Sequence, residues 1–182
     1  MKVIAFAGYS GAGKTTLMER VIPELRRHGR RVSVIKHTHH KFDIDHPGKD
    51  SWRHRQAGAC EVLVASDRRL ALIREFEQPA ELDVHALLAE LRADVDWVLV
   101  EGFKLSDLPR IEVMRRIGPG QAPRPALYPG DGHVCAIATD RAADLPEPTG
   151  LPVFGLDDAP AVAQWLLASG GRFHYNGHET HG

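Results

Sequence analysis

Apolar residues open the chain as a short run, Val3 to Ala7, and then recur at helical spacing at Leu17, Val21, Ile22 and Leu25. The run suits a buried strand. The periodic stretch suits a crossover helix, ended by a left-handed Gly29 after the basic turn Arg26-Arg27-His28. Val32, Val34 and Ile35 form a second short strand, followed by the long polar segment KHTHHKFDIDHPGKDSWRHRQAGA with Pro47 and Gly48 near its middle. Within it, Asp50 or Ser51 caps a short helix through Gln56. CEVLVAS and LALIREF then flank the turn Asp67-Arg68-Arg69 and read as an antiparallel hairpin.

Asp83 is placed to cap a helix carrying Leu87, Leu88 and Leu91, and the next apolar run, DWVLVEG, reads as a buried strand. IEVMRR is a further strand, and GPGQAPRPALYPGDGH, rich in proline and glycine, is a loop. HVCAIATD and LPVFGL resume the sheet. Asp157 or Asp158, with Pro160, starts a last helix through Trp165, Leu166 and Leu167, which Gly170-Gly171 ends. Strands alternating with helices predict an α/β fold: a doubly wound, mostly parallel sheet with helices on both faces, plus the hairpin. The reading assigns one domain to residues 1–170 and a frayed tail to 171–182, where RFHYNGHETHG has no periodic apolar face.

Composition narrows the function classes. The chain has 182 residues, 43% of them hydrophobic and 26% charged, with a formal net charge of -1. That suits a single core and argues against disorder and against a broad polyanion-binding surface, so nucleic acid is not an expected partner. No apolar run approaches a membrane span and no charged-then-apolar leader precedes the first strand, which points to the cytoplasm. Cys60 and Cys135 stand far apart inside apolar runs and are expected as buried, reduced thiols.

The chemistry concentrates between the first strand and the first helix. Gly8-Tyr9-Ser10-Gly11-Ala12-Gly13-Lys14-Thr15-Thr16 fits G-x-x-x-x-G-K-[ST], in which glycines let backbone N–H groups converge on a phosphate with no Cβ in the way. The helix adds the positive end of its dipole. Lys14 is expected to reach the β- and γ-phosphates, and the Thr15 hydroxyl to ligate Mg²⁺.

An open α/β sheet binds its ligand at the carboxyl ends of its strands, so the residues ending the later strands come next. Glu101 closes an apolar strand and is the expected carboxylate for Mg²⁺, with Gly102 leaving space beside it. Asp43, Asp45 and Asp50 are candidates to complete the metal shell. Asp50 is preferred because it stands before a helix, where a plain N-cap aspartate also belongs. His37, His39 and His40 suit phosphate or pterin contacts through imidazole N–H groups, or alternatively a transition metal such as Zn²⁺ or Ni²⁺. Thr139 and Asp140 end a further strand. The Asp140 carboxylate can accept two parallel hydrogen bonds from guanine, which adenine cannot offer, although Asp140 also fits a turn before Arg141.

Taken together, GYSGAGKTTL, VIKHTHHKFDIDHPGKDSWRHRQAGA and DWVLVEGFK closely resemble the MobB family of molybdopterin-guanine dinucleotide biosynthesis. The resemblance covers roughly the first hundred residues and is looser beyond them. It implies a homodimeric GTP-binding protein that uses Mg²⁺ and hydrolyses GTP weakly. Such a protein assists the guanylyltransferase MobA in converting the molybdenum cofactor to its guanine dinucleotide form, with molybdopterin as a further bound ligand. Weak hydrolysis agrees with the sequence, in which neither a glutamine for the attacking water nor an arginine finger is evident. Two rivals share parts of the pattern. The V-E-G turn is similar to that of dethiobiotin synthetase, an ATP-dependent ligase whose equivalent glutamate binds magnesium, and the histidines are similar to those of nickel-insertion GTPases. In each case the site rests on the loop, with Lys14 and Glu101 as its active groups.

Overall fold

The computed structural model describes residues 1–38, 42–116 and 124–177. The chain divides into two compact units, one made of Met1–His37 with Val84–Gly182 and the other of Thr38–Asp83.

In chain order the first unit holds β1 (Lys2–Ala7), α1 (Lys14–Arg27) and β2 (Val32–Lys36). The second unit follows with α2 (Asp50–Gln56), β3 (Glu61–Ala65) and β4 (Leu70–Arg74). The first then resumes with α3 (Val84–Ala89), β5 (Trp97–Glu101), β6 (Arg110–Met114), β7 (Val134–Thr139), β8 (Val153–Gly155) and α4 (Ala159–Ala168). Its six strands lie in the order β2-β5-β1-β6-β7-β8, and every neighbouring pair is parallel.

A strand presents alternate residues to opposite faces, and the two faces of this sheet fill separately. Ile4, Phe6, Trp97, Leu99, Ile111 and Val113 pack with Leu17, Val21 and Leu25 of α1 and with Val162 and Leu166 of α4. Val3, Ala5, Val98 and Val100 pack with Val84 and Leu88 of α3. The central strands are therefore apolar on both sides, which is why β1 and β5 read as continuous runs. The expected doubly wound α/β sheet, with helices on both faces, is the fold observed.

In the second unit β3 and β4 pair antiparallel, with Leu63 opposite Leu72 and Ala65 opposite Leu70, so the expected hairpin is also present. Leu63, Leu70 and Leu72 are exposed. Arg55 ties this unit together, bonding Glu75 at 2.6 Å and Asp45 at 3.1 Å.

Four local expectations change. Neither Asp50 nor Ser51 caps α2. Lys49 holds that position without a side-chain bond, Asp50 is the first helical residue, and Ser51 donates to Asp45 at 2.8 Å. Cys60 is exposed, because the hairpin has only two strands and leaves much of its apolar sequence uncovered. Cys135 is half-buried, and burial pushes its thiol up to about 11. Nor does packing end at Gly170. Gly170–Phe173 form a 3-10 turn, and Phe173 is buried against Trp97 and Trp165. His174 bridges Lys2, and the Tyr175 N–H bonds Met1. Residues 178–182 of the expected tail lie outside those described. The last helix matches its reading, with the Asp158 carboxylate accepting from the Ala161 N–H at 3.1 Å.

Candidate nucleotide site

The loop between β1 and α1 turns on three glycines with positive φ, at 144° for Gly8, 78° for Gly11 and 99° for Gly13. At Gly8 a Cβ would stand 2.2 Å from the Val113 carbonyl oxygen, so only glycine lets β1 leave the sheet beside β6. Gly13 occupies the N-cap of α1 without a side chain to bond the first turn. The loop and that helix end thus present uncapped N–H groups to an anion.

Lys14 folds back over the loop and donates to the carbonyls of Gly8 and Tyr9, both at 2.9 Å. Burial lowers the pKa of its ammonium; Glu101 opposes that effect, and Lys36 and Arg124 add to it. The next residue, Thr15, donates from Oγ1 to Glu101 Oε1 at 2.6 Å. Parallel pairing of β1 with β5 sets Phe6 beside Glu101, so the strand-end carboxylate emerges at the loop, as expected. A hydroxyl and a carboxylate at this separation are hard oxygen donors of the kind that Mg²⁺ takes together with phosphate oxygens.

Gly102 follows with φ 106°, and a Cβ there would meet the His37 Cβ at 3.1 Å. Phe103 adopts φ 49°, which is uncommon for a non-glycine residue, and its ring stacks on His37 at 4.6 Å. Arg110, buried in β6, holds this turn from beneath by donating to the carbonyls of Lys104, Ser106 and Leu108.

A pocket of about 560 Å³ runs from Tyr9, Ser10, Gly11 and Ala12 along the sheet edge to Thr139 and Asp140. The Asp140 carboxylate accepts from the Arg116 N–H at 2.9 Å through Oδ1. On the phosphate side, Arg124 donates to the Ser10 carbonyl at 2.8 Å and lies over the Tyr9 ring, 5.3 Å from its centroid. The Arg115 guanidinium comes close to Gly13, 3.3 Å from where a Cβ would be. Glu112 secures the approach of this segment by accepting from the N–H groups of Leu127 and Tyr128 at 2.7 and 2.8 Å, and burial raises its carboxyl pKa.

Comparison with known proteins decides the family. The model of molybdopterin guanine dinucleotide synthesis protein B matches residues 3–140. The chain belongs to the MobB family. It is 39% identical over 166 residues to the molybdopterin-guanine dinucleotide biosynthesis adapter protein of Escherichia coli strain K12, covering 91% of each chain. It is 44% identical over 143 residues to the adapter protein of Haemophilus influenzae, covering 79% of this chain and 77% of that one. Among solved structures, a molybdopterin-guanine biosynthesis protein B superposes with a TM-score of 0.68 at 28% identity, over 92% of this chain and 99% of that one. A MobB homolog from Bacillus stearothermophilus gives 0.64 at 28% identity, over 93% and 97%.

In this MobB-family chain the structure brings together Gly8, Ser10, Gly11, Ala12, Gly13, Lys14, Thr15 and Glu101. Thr16 is exposed on the first turn of α1. Thr139 and Asp140 share the pocket with the loop. Asp50 belongs to the second unit, where it is exposed and pairs with Arg53 at 3.7 Å. His39 and His40 lie outside the described residues, and no group of three potential metal-binding His, Cys, Asp or Glu residues occurs among the described ones. No described helix is long and apolar enough to cross a membrane.

Four cations at the loop were missed by sequence reasoning: Lys36, Lys104, Arg115 and Arg124. Lys36 was within reach, because it ends β2 as Glu101 ends β5 and the same strand-end rule selects it. The arginines carry no local signal, since each reaches the loop only through the neighbouring position of β6.

Proposed function

We propose that this chain binds GTP with Mg²⁺ on the loop Gly8–Thr16 and serves as an adapter to the guanylyltransferase that forms molybdopterin guanine dinucleotide. The observation that carries the reading is the group of Lys14, Thr15 and Glu101 at the uncapped start of α1. Lys14 would give up its two carbonyl contacts for phosphate oxygens, and the first-turn N–H groups would hold the same anion. Thr15 and Glu101 would hold the metal, which would supply positive charge to neutralise the phosphates. Asp140, at the far end of the pocket, would read guanine. Family membership and the adapter proteins named above support the biosynthetic role.

Turnover would be slow, since no glutamine is found among the pocket's described lining residues to orient an attacking water. The exposed Leu63, Leu70 and Leu72 of the hairpin supply an apolar surface suited to a homodimer contact. Calorimetric titration with GTP and with ATP, in Mg²⁺ and in EDTA, tests the nucleotide reading, with Lys14→Ala as the control. GTP binding that disappears in that variant while the fold persists is the expected result. Co-elution with the guanylyltransferase tests the adapter role, and sedimentation tests the dimer.

A further inference from the structure

Glu101 presents a mostly buried carboxylate at the loop, its side chain only 11% exposed, and both of its oxygens are engaged. Oε1 accepts the Thr15 hydroxyl, and Oε2 pairs with the Lys36 ammonium at 3.3 Å. The same ammonium lies 3.5 Å from Thr15 Oγ1, so one cation bridges the two oxygens assigned to the metal. The sheet fixes this meeting, because Lys36 is directly paired with Glu101 where β2 lies beside β5.

We infer that Lys36 is a stand-in cation for the metal, compensating Glu101 when no Mg²⁺ is bound and yielding the Thr15–Glu101 pair when the metal arrives with nucleotide. The inference rests on the nucleotide reading proposed above. An almost buried carboxylate without a counter-charge is costly, so the ligand-free protein needs a cation here. Mg²⁺ requires oxygen ligands at about 2.1 Å and would draw on the same lone pairs, leaving two cations against one carboxylate. Lys36 can leave because its side chain is 56% exposed and its flexible stem lets the ammonium swing into solvent. Lys14 is differently placed, held by two carbonyls of the loop. Lys36 is thus a positioning residue that sets how strongly the site depends on metal.

The consequence is a pair of opposite effects that a merely structural lysine would not produce. In Lys36→Met, the MgCl₂ concentration at half-saturation of GTP binding should fall several-fold, because the competitor is gone. GTP affinity in EDTA should fall several-fold, because the cation paired with Glu101 has been removed. Lys36→Arg keeps a cation and should restore binding in EDTA. Calorimetry on the full chain reads both arms, and thermal melting of each variant checks the fold. An unchanged or higher Mg²⁺ midpoint in Lys36→Met, or equal losses in both buffers, overturns the inference while leaving nucleotide binding intact. If the unsubstituted chain binds GTP in neither buffer, the nucleotide reading falls and this inference falls with it.

Discussion

Arg124 donates from Nη1 to the Ser10 carbonyl at 2.8 Å, joining the segment after β6 to the tip of the phosphate loop. The contact places a permanent positive charge beside the proposed anion site and sets it over the Tyr9 ring, where its charge meets the ring's negative face. Arg124→Ala is expected to weaken GTP binding by about 1.5–3 kcal/mol, the range of one charge-assisted contact. Arg124→Lys should fall between the two. Calorimetry at fixed ionic strength measures this, and an Arg124→Ala affinity equal to that of the unsubstituted chain would mean that the arginine only decorates the loop.

Gly8 meets β6 more closely than any side chain permits. A methyl group there would lie 2.2 Å from the Val113 oxygen, at a φ of 144° that residues other than glycine rarely adopt. Gly8→Ala should therefore destabilise the fold by at least about 2 kcal/mol, combining backbone strain with overpacking against a central strand. Gly11→Ala, with open space around its Cβ, should be milder in stability. Urea unfolding of the two variants gives the comparison, and equal midpoints would contradict the contact at Val113.

These two residues also mark what the sequence could and could not disclose. The spacing of Gly8, Gly13 and Lys14 is local, and each glycine sits where the backbone must turn or approach an anion, so the loop is legible without a fold. Glu101 was legible because a polar residue ending a buried run has one place to go in a parallel sheet. Arg124 was not, because its position depends on β6 lying next to β1 and on Glu112 anchoring Leu127 and Tyr128. Cys60 misled for the opposite reason. An apolar run implies burial only if a second layer covers it, and the hairpin is its own two-stranded sheet. Phe173 lay in a segment without periodicity, and a single aromatic filling a gap beside Trp97 leaves no pattern to read.

Asp140 lends itself to an isosteric test. Its Oδ1 already accepts the Arg116 N–H, a bond that an asparagine oxygen would preserve, so Asp140→Asn should leave the end of β6 in place. What changes is the second acceptor, which becomes a donor where the proposed guanine contact needs an acceptor. Discrimination of GTP over ATP should shrink by about 1–3 kcal/mol, the worth of a bidentate base contact. Competition binding of the two nucleotides measures it. Preference retained in full would place base recognition elsewhere in the pocket.

Lys14 should impose a pH dependence whose direction follows from its surroundings. Burial, together with the positive charges of Lys36 and Arg124, lowers its pKa from 10.5 in spite of Glu101. In the ligand-free protein the ammonium therefore loses its proton at a lower pH than in the unfolded chain. Between the two values the unfolded state binds more protons, so this group adds stability as pH rises. Nucleotide binding has the opposite sign. A triphosphate favours the charged form and draws the pKa back up, so above the lowered value binding takes up a proton. Affinity should then fall towards tenfold per pH unit. Lys14→Arg keeps its charge throughout and experiences the same titrations of the ligand, so its affinity should fall less steeply over the same range. Calorimetry from pH 7 to 10, repeated in buffers of different ionisation enthalpy, counts the protons taken up. Equal slopes for lysine and arginine would show that Lys14 stays charged throughout and that burial does not govern its titration.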